Sequence, residues 1–520
     1  MARLNLKSNI WWTWVLLALM AIGVSLSLIP QEEFWWHLKI GEWIRANNAI
    51  PRTGLYSATG AAAPLLYPSW GGEWLLAVFY DLGGLPLIVL VRNLLFLATY
   101  GLFAWHTLRR TRGNGRAAAV GLFLAGSAAF NSWGAGPQIV VWPLFMLAFA
   151  LVSEVGLERW PRRALLATPL IQIVWVNLSG AWIVGPLLVG CAALGAVLDR
   201  RRDHSEAPTY PTARALWLAF GATTVATLAH PRGLSLVSSV WNLLPDRSSQ
   251  PLVGLWVSPL RSLDQPATQL FFLSLLIAAV MVAALWKQLR SADLLTFVAL
   301  TGLVLATTSY QLWFGLVAGA IVAEALVRRG RLKLIKNKPQ RSSWLAWVTL
   351  GLALLAVLAQ LPIRSLVRFP AVVRGAEGSL PNAELAVAAT PVQAVDYLLQ
   401  NPPSGGLFHE VRYSSYLIWR AGEQLPAFID MRTELYPAEL WFEYQCVVAG
   451  RDWEPLLAKY NLTTVLADRA LQPSLIAALR QSGFWRERYS DLRTLVFERD
   501  PAAPPPSTAA TCPTELAAKD

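Results

Sequence analysis

Apolar runs of about twenty residues, separated by short polar segments, recur along the first two-thirds of the chain. A helix of that length crosses roughly 30 Å of hydrocarbon. The pattern predicts about eleven spans: 11–29, 85–107, 117–133, 137–154, 164–178, 181–198, 213–229, 267–286, 294–309, 310–327 and 343–361. Beyond residue 362 the pattern changes, with 363–384 reading as a linker and 385–500 as a soluble domain of ordinary charged and aromatic density. In that domain 391–399 and 473–480 have helical spacing. Short apolar runs at 406–408, 426–430 and 462–468, bounded by turn residues, suit buried strands. Two last strands are expected around Arg488-Tyr489 and Thr494–Phe497, and strands alternating with helices argue a small α/β sandwich. The Pro/Ala/Ser/Thr-rich tail, 501–520, is expected to be disordered. The fold class is therefore mainly α: a polytopic transmembrane helix bundle over 1–362, with a first external loop at 30–84 and a small C-terminal α/β domain outside the membrane.

Composition sharpens this reading. Of 520 residues, 55% are hydrophobic and only 15% charged, with 25 tryptophans, so the class is an integral membrane protein. Arg3 and Lys7, Arg109–Arg116, Arg159–Arg163, Arg200–Arg202, Lys287 with Arg290, and Arg328–Arg341 all fall on one side of an eleven-span layout. The positive-inside rule makes that side cytoplasmic and sends the first loop and the C-terminal domain outside. Most of the net charge of +12 lies in those short loops, where it suits topology and anionic membrane lipids, not nucleic acid. The first apolar run lacks a small-residue cleavage site and reads as an uncleaved signal anchor. Cys191, Cys446 and Cys512 show no metal or disulfide spacing, and Cys446 reads as a small buried apolar residue.

Candidate chemistry starts where the first span ends. Glu32-Glu33-Phe34-Trp35-Trp36-His37-Leu38 places two carboxylates, a histidine and a tryptophan pair at the membrane surface, and Trp70…Glu73-Trp74 closes the same loop. Tyr413–Trp419 and Phe428–Tyr436, the latter containing Asp430, Arg432 and Glu434, follow about 390 residues later. Together these motifs resemble a bacterial branch of the GT-C polytopic membrane glycosyltransferases, which use sugars carried on polyprenyl phosphate. The resemblance implies an inverting transfer to an acceptor glycan, lipid or protein at the outer face, with an acid in the first loop as catalytic base.

On that resemblance Glu33 is the expected base, with Glu32 as the second catalytic candidate. His37, Arg52, Glu73, Arg92, Arg232 and Arg432 are candidate substrate- or phosphate-binding residues. Pro51 fixes the turn that would aim Arg52, and an ionisable group inside a span, as Arg92 is, usually faces a cavity or another helix. A divalent metal is compatible with such chemistry, although no metal-ligand motif is visible, and no nucleotide cofactor is expected because Gly-rich phosphate-binding motifs are absent. The chain departs from its relatives at Gly136-Pro137-Gln138, Trp175-Val176-Asn177 and His230-Pro231-Arg232, where an arginine, a histidine and an Asn-Pro turn are more usual. A scaffold that keeps the fold without the chemistry, and a lipid or glycan transporter, are the competing readings. The lack of internal repeats counts against the transporter.

Overall fold

The computed structural model describes residues 10–238, 258–328 and 378–504, with isolated positions at 348, 351, 354, 355 and 376. The expected eleventh span at 343–361, the linker and most of the tail lie outside the described residues. Two compact units divide the chain, one from 1–27, 87–241 and 255–367, the other from 28–86, 242–254 and 368–520.

The first unit is built from helices. They are α1 (Trp11–Leu26), the second half of α3 (Trp70–Arg110), α4 (Gly115–Ala128), α5 (Val141–Gly156), α6 (Ala167–Leu178), α7 (Val184–Arg201), α8 (Tyr210–Ala226), the short α9 (Leu234–Ser238), α10 (Pro266–Leu285), α11 (Ser291–Ala306) and α12 (Gln311–Arg328), with α2 (Phe34–Asn47) belonging to the other unit. Each of the first ten predicted spans coincides with one of these helices. Four helical stretches are long and apolar enough to cross a membrane: Trp70–Arg110, Pro137–Gly156, Pro266–Leu285 and Thr308–Arg328. The chain is thus a polytopic membrane protein. Local signals set the helix ends: Asn114 caps α4 by accepting from Ala117 N–H at 3.1 Å, and Pro266 opens α10, where its missing N–H costs nothing. The long helix α3 breaks at Gly83-Gly84, where Gly84 takes a positive φ of 61°.

Helix α12 is buried along Gln311–Ala325 and packs most closely on α4. A Cβ on Gly319 would sit 2.3 Å from the Gly121 carbonyl oxygen, and one on Gly121 would sit 2.5 Å from the Gly319 carbonyl oxygen. Close backbone approach through small residues is how helices associate where lipid removes the hydrophobic drive. Gly319→Leu is therefore expected to destabilise the protein by about 1–3 kcal/mol or more, by overpacking against backbone. Gly302→Leu, where an added Cβ meets open space, is the control. Thermal unfolding of the purified variants in one detergent compares them, and equal melting temperatures would refute the packing argument.

The second unit contains α2 (Phe34–Asn47) and the first half of α3, followed from residue 378 by helices and a four-stranded sheet. The sheet order is β1 (Gly406–His409), β2 (Leu462–Asp468), β4 (Thr494–Arg499), β3 (Trp485–Ser490). Strands β1 and β2 are parallel, so the chain between them must cross over, and it does so through three helices: α14 (Ser414–Ala421), α15 (Ala438–Val448) and α16 (Trp453–Lys459). Strands β1 and β3 are the two edges, and β3 carries Arg486, Glu487 and Arg488, charges that discourage pairing with another chain. Helices α13 (Val392–Gln400) and α17 (Pro473–Gln481) bury Val392, Val395 and Leu398, and Leu475, Ile476 and Leu479.

Two sequence expectations fail here. Residues 426–430 form no strand of the sheet; Ala427 instead makes an isolated bridge to Ser57, because the first loop supplies its backbone partner. Cys446 is disulfide-bonded, not a lone apolar filler. A single cysteine in a long soluble segment carries no spacing signal from which that pairing could be read.

Candidate active site

The helix α2 was not legible as a helix within the loop, yet its signals are present. Asn48 adopts the left-handed conformation at its C-terminus (φ 46°) and Arg45 lies in its last turn. Glu33 occupies the N-cap position without spending its side chain on capping, which leaves the carboxyl available. The helix is fixed by its aromatic face. Trp35 is fully buried, with ring centroids 5.2 Å from Tyr416 and 4.8 Å from Trp419. The Trp36 backbone N–H donates to Ser415 Oγ at 3.0 Å, and Trp419 Nε1 donates to Glu42 Oε1 at 3.0 Å. The two sequence motifs, nearly four hundred residues apart, are therefore joined side chain to side chain within one unit.

On the same helix, His37 Nδ1 lies 2.8 Å from Glu73 Oε1, and its ring stacks on Trp36 at 3.6 Å. The contact depends on Gly41, one turn on, where a Cβ would fall 2.0 Å from the Glu73 carbonyl oxygen. Only glycine lets α3 approach so closely. Glu73 is buried, and its second carboxyl oxygen has no hydrogen-bond partner among the described residues. A histidine tied at Nδ1 has its tautomer and ring direction set, which presents Nε2 for a second contact.

Arg432 is 2% exposed and committed internally. Its Nε donates to Asp430 Oδ1 at 2.9 Å and Nη2 to Asp430 Oδ2 at 2.6 Å, while Nη2 also donates to the Leu55 carbonyl at 2.7 Å. The guanidinium stands 5.7 Å from the Trp36 ring centroid, a cation–π distance. Tyr436 Oη completes the group, 2.6 Å from Asp430 Oδ2 and 2.9 Å from Ser57 Oγ. Arg432 thus ties the C-terminal segment to the first loop and backs the Trp36–His37 stack.

Glu33 is half-buried, and burial is the main reason its carboxyl is pushed up to about 8, with the neighbouring charges of Glu32 and then Glu434 adding to it. Glu434 is exposed at the surface yet densely surrounded by protein, and its carboxyl is also raised, chiefly by that desolvation. Arg412 Nε stands 4.0 Å from Glu32 Oε1 and is partly exposed. Arg412 is the residue that sequence reasoning missed. It has no positional signal, because it reaches the site through the fold of the 405–440 segment.

Arg52 is exposed on the first loop, where its carbonyl accepts from Leu65 N–H. Arg92 and Arg232 belong to the helical unit. Arg92 is fully buried, and its Nη2 donates to the carbonyls of Val24 (2.8 Å) and Ser27 (3.1 Å), satisfying acceptors at the end of α1. Arg232 is partly buried, and its backbone N–H donates to His230 Nδ1 at 3.1 Å. Among the described residues no three His, Cys, Asp or Glu side chains are grouped to hold a metal ion.

No protein-family description and no curated protein matches the chain. Among solved structures, ArnT from Cupriavidus metallidurans bound to undecaprenyl phosphate is similar at 15% identity and TM-score 0.47, covering 94% of this chain and 98% of that one. The Archaeoglobus fulgidus oligosaccharyltransferase, in complex with Zn and sulfate, is similar at 12% identity and TM-score 0.47, covering 93% and 73%. Mycobacterial arabinofuranosyltransferase AftD is similar at 16% identity and TM-score 0.49, covering 93% of this chain but 41% of its own.

Proposed function

We propose that the chain is an integral-membrane glycosyltransferase that moves a sugar from a polyprenyl-phosphate carrier to an acceptor hydroxyl, with inversion, at the outer face of the cytoplasmic membrane. The observation that carries the reading is Glu33: a carboxyl at a helix start, unspent on capping, half-buried, and pushed by burial to about 8. A base with a pKa near ambient pH is suited to proton abstraction. In the proposed step the acceptor oxygen bonds to the anomeric carbon as its proton passes to the Glu33 carboxylate. The bond from the anomeric carbon to the phosphate oxygen breaks, and its electron pair leaves with the polyprenyl phosphate. Arg412, His37 through Nε2, and Arg52 are the candidates to offset the leaving phosphate's charge. Arg432 acts here as a positioning residue, holding Trp36 and the first loop.

The test is transfer from a panel of radiolabelled polyprenyl-phosphate sugars by purified protein in lipid, with and without divalent cation. Transfer of any panel sugar supports the enzyme. Its absence across the panel, with retention of polyprenyl phosphate, favours the scaffold reading. That alternative draws on one observation, that Arg92 and Arg432 are both committed to partners within the protein.

Two features support an outer location for the second unit. The basic clusters alternate along the sequence, and the Cys446 disulfide belongs to an oxidising compartment. A C-terminal alkaline phosphatase fusion is expected to be active and a fluorescent-protein fusion dark. Cys446 is expected to resist alkylation until reductant is added. The opposite fusion pattern would overturn the orientation.

A further inference from the structure

The helical unit contains a second feature that the proposed transfer does not use: a polar cavity of about 820 Å³ near the ends of α3, α5, α7 and α12. Its wall carries six cations, Arg110, Arg112, Arg159, Arg202, Lys287 and Arg328, against three acids, Asp203, Glu206 and Glu324. The acids of the floor are already shared. Glu324 accepts from Arg110 Nε at 2.7 Å and from Arg328 Nε at 2.9 Å, and Glu206 is paired with Arg328. Behind the wall, Asp293 accepts from both Arg110 and Arg290, and Glu154 from Arg109. Arg110 is thus saturated by two carboxylates and forms a rigid base.

The rim is different. Among the described residues Arg202 donates to neutral oxygens, Ser291 Oγ at 3.2 Å and the Trp286 carbonyl at 3.4 Å. Arg202 and Lys287 also flank the half-exposed Trp286 ring, at 5.2 and 5.6 Å from its centroid. Arg112 is exposed beside them. The cavity therefore has a neutralised, ordered floor and an excess of positive charge around an amphipathic aromatic ring. Its volume fits a ligand larger than a bare oxyanion. Arginine and lysine in this arrangement suit phosphate oxygens, and basic pockets between membrane helices take phosphorylated headgroups.

We infer that this cavity binds a phosphate-bearing anion, held at its rim by Arg112, Arg202 and Lys287. The lining includes neither Glu33 nor the His37–Glu73 pair, and the inference does not depend on the proposed transferase reaction. The same chemistry could be presented by a lipid headgroup or by a soluble phosphate, and the experiment separates them.

Full-length protein in neutral detergent is titrated with dioctanoyl phosphatidic acid, with dioctanoyl phosphatidylcholine as zwitterionic control, and with inorganic pyrophosphate. Thermal shift and native mass spectrometry read the binding. Saturable binding of phosphatidic acid is expected, weakened by added salt. It should fall roughly a hundredfold in Arg112→Gln/Arg202→Gln/Lys287→Gln, at about fivefold per basic group. Arg202→Lys/Lys287→Arg should retain it. If the triple variant fails to fold, Arg112→Gln and Lys287→Gln alone, both exposed positions, should each lose about fivefold. Preference for phosphatidic acid assigns the site to a lipid, and equal binding of pyrophosphate assigns it to a soluble phosphate. Absence of saturable binding by both, or equal affinity in the native and neutralised proteins, overturns the site.

Discussion

Glu33→Gln is expected to fold, to lose transfer activity by about 10²–10⁴-fold, and to be more stable than the native chain at alkaline pH. The last outcome follows from the proton balance. The Glu33 carboxyl is raised from 4.5 to about 8, so across that window the folded state keeps a proton that the unfolded chain has lost. Stability from this group is complete below pH 4.5 and declines as pH rises toward 8. Glutamine has no proton to lose, so the decline should be missing from the variant's melting-temperature profile. Activity runs the other way in the native protein. At pH 7 only about a tenth of a carboxyl with that pKa is ionised, so the rate should rise about tenfold per pH unit and level off near pH 8. Glu32→Gln should keep the plateau rate and move the midpoint to lower pH, because the Glu32 charge is one cause of the shift. Loss of activity in Glu32→Gln, with no effect in Glu33→Gln, would remove Glu33 as the base.

How much of this was legible in the sequence depends on the range of the interactions involved. The helices that coincide with the first ten predicted spans could be read because each carries a contiguous apolar run, a purely local property. The α13 and α17 helices and strands β1, β2 and β4 were legible for the same reason, since each carries its own periodicity. Residues 426–430 were misread because a short apolar run bounded by turn residues looks the same whether its partner is a sheet or a single backbone bridge to Ser57. Helix α2 was hidden by composition: its tryptophans and Gly41 lower helix propensity, and only its packing on Tyr416, Trp419 and Glu73 shows why they are there.

The candidate site divides in the same way. Glu33, Glu32 and His37 stand next to a recognisable Trp-Trp pair, so they were visible as a local motif. The His37–Glu73 contact joins residues 36 positions apart, and the Arg412–Glu32 approach joins residues 380 apart, so neither could be inferred from spacing. The spacing of two in the Asp430-x-Arg432-x-Glu434 run suits either one strand face or one turn. Among the described residues Arg432 is ion-paired with Asp430, and Glu434, within range of Glu33, helps to raise its carboxyl. A 3₁₀ turn at Thr433–Leu435 begins directly after Arg432 and redirects the chain there.

Arg432→Met is expected to cost about 3–5 kcal/mol, the range for breaking a buried ion pair from one side. The fully buried Asp430 would keep Tyr436 Oη and the Arg432-position backbone N–H, but it would lose the only cation to which it is ion-paired among the described residues. The Leu55 carbonyl and the Trp36 ring would also lose their contacts with the guanidinium. Arg432→Lys should recover only part of the loss, since a single ammonium cannot make the two-pronged Asp430 contact and the Leu55 bond together. Asp430→Leu/Arg432→Met removes both charges and should regain most of the stability in thermal unfolding, because the desolvation penalty vanishes with the pair. That double variant separates the two roles open to Arg432. If Arg432 only positions Trp36 and the first loop, the stable double variant should keep the donor KM within a few-fold and lose kcat as His37 and Glu33 shift. If Arg432 instead contacts the donor phosphate, the double variant should be stable, with KM raised by an order of magnitude or more and the pH midpoint of Glu33 unchanged.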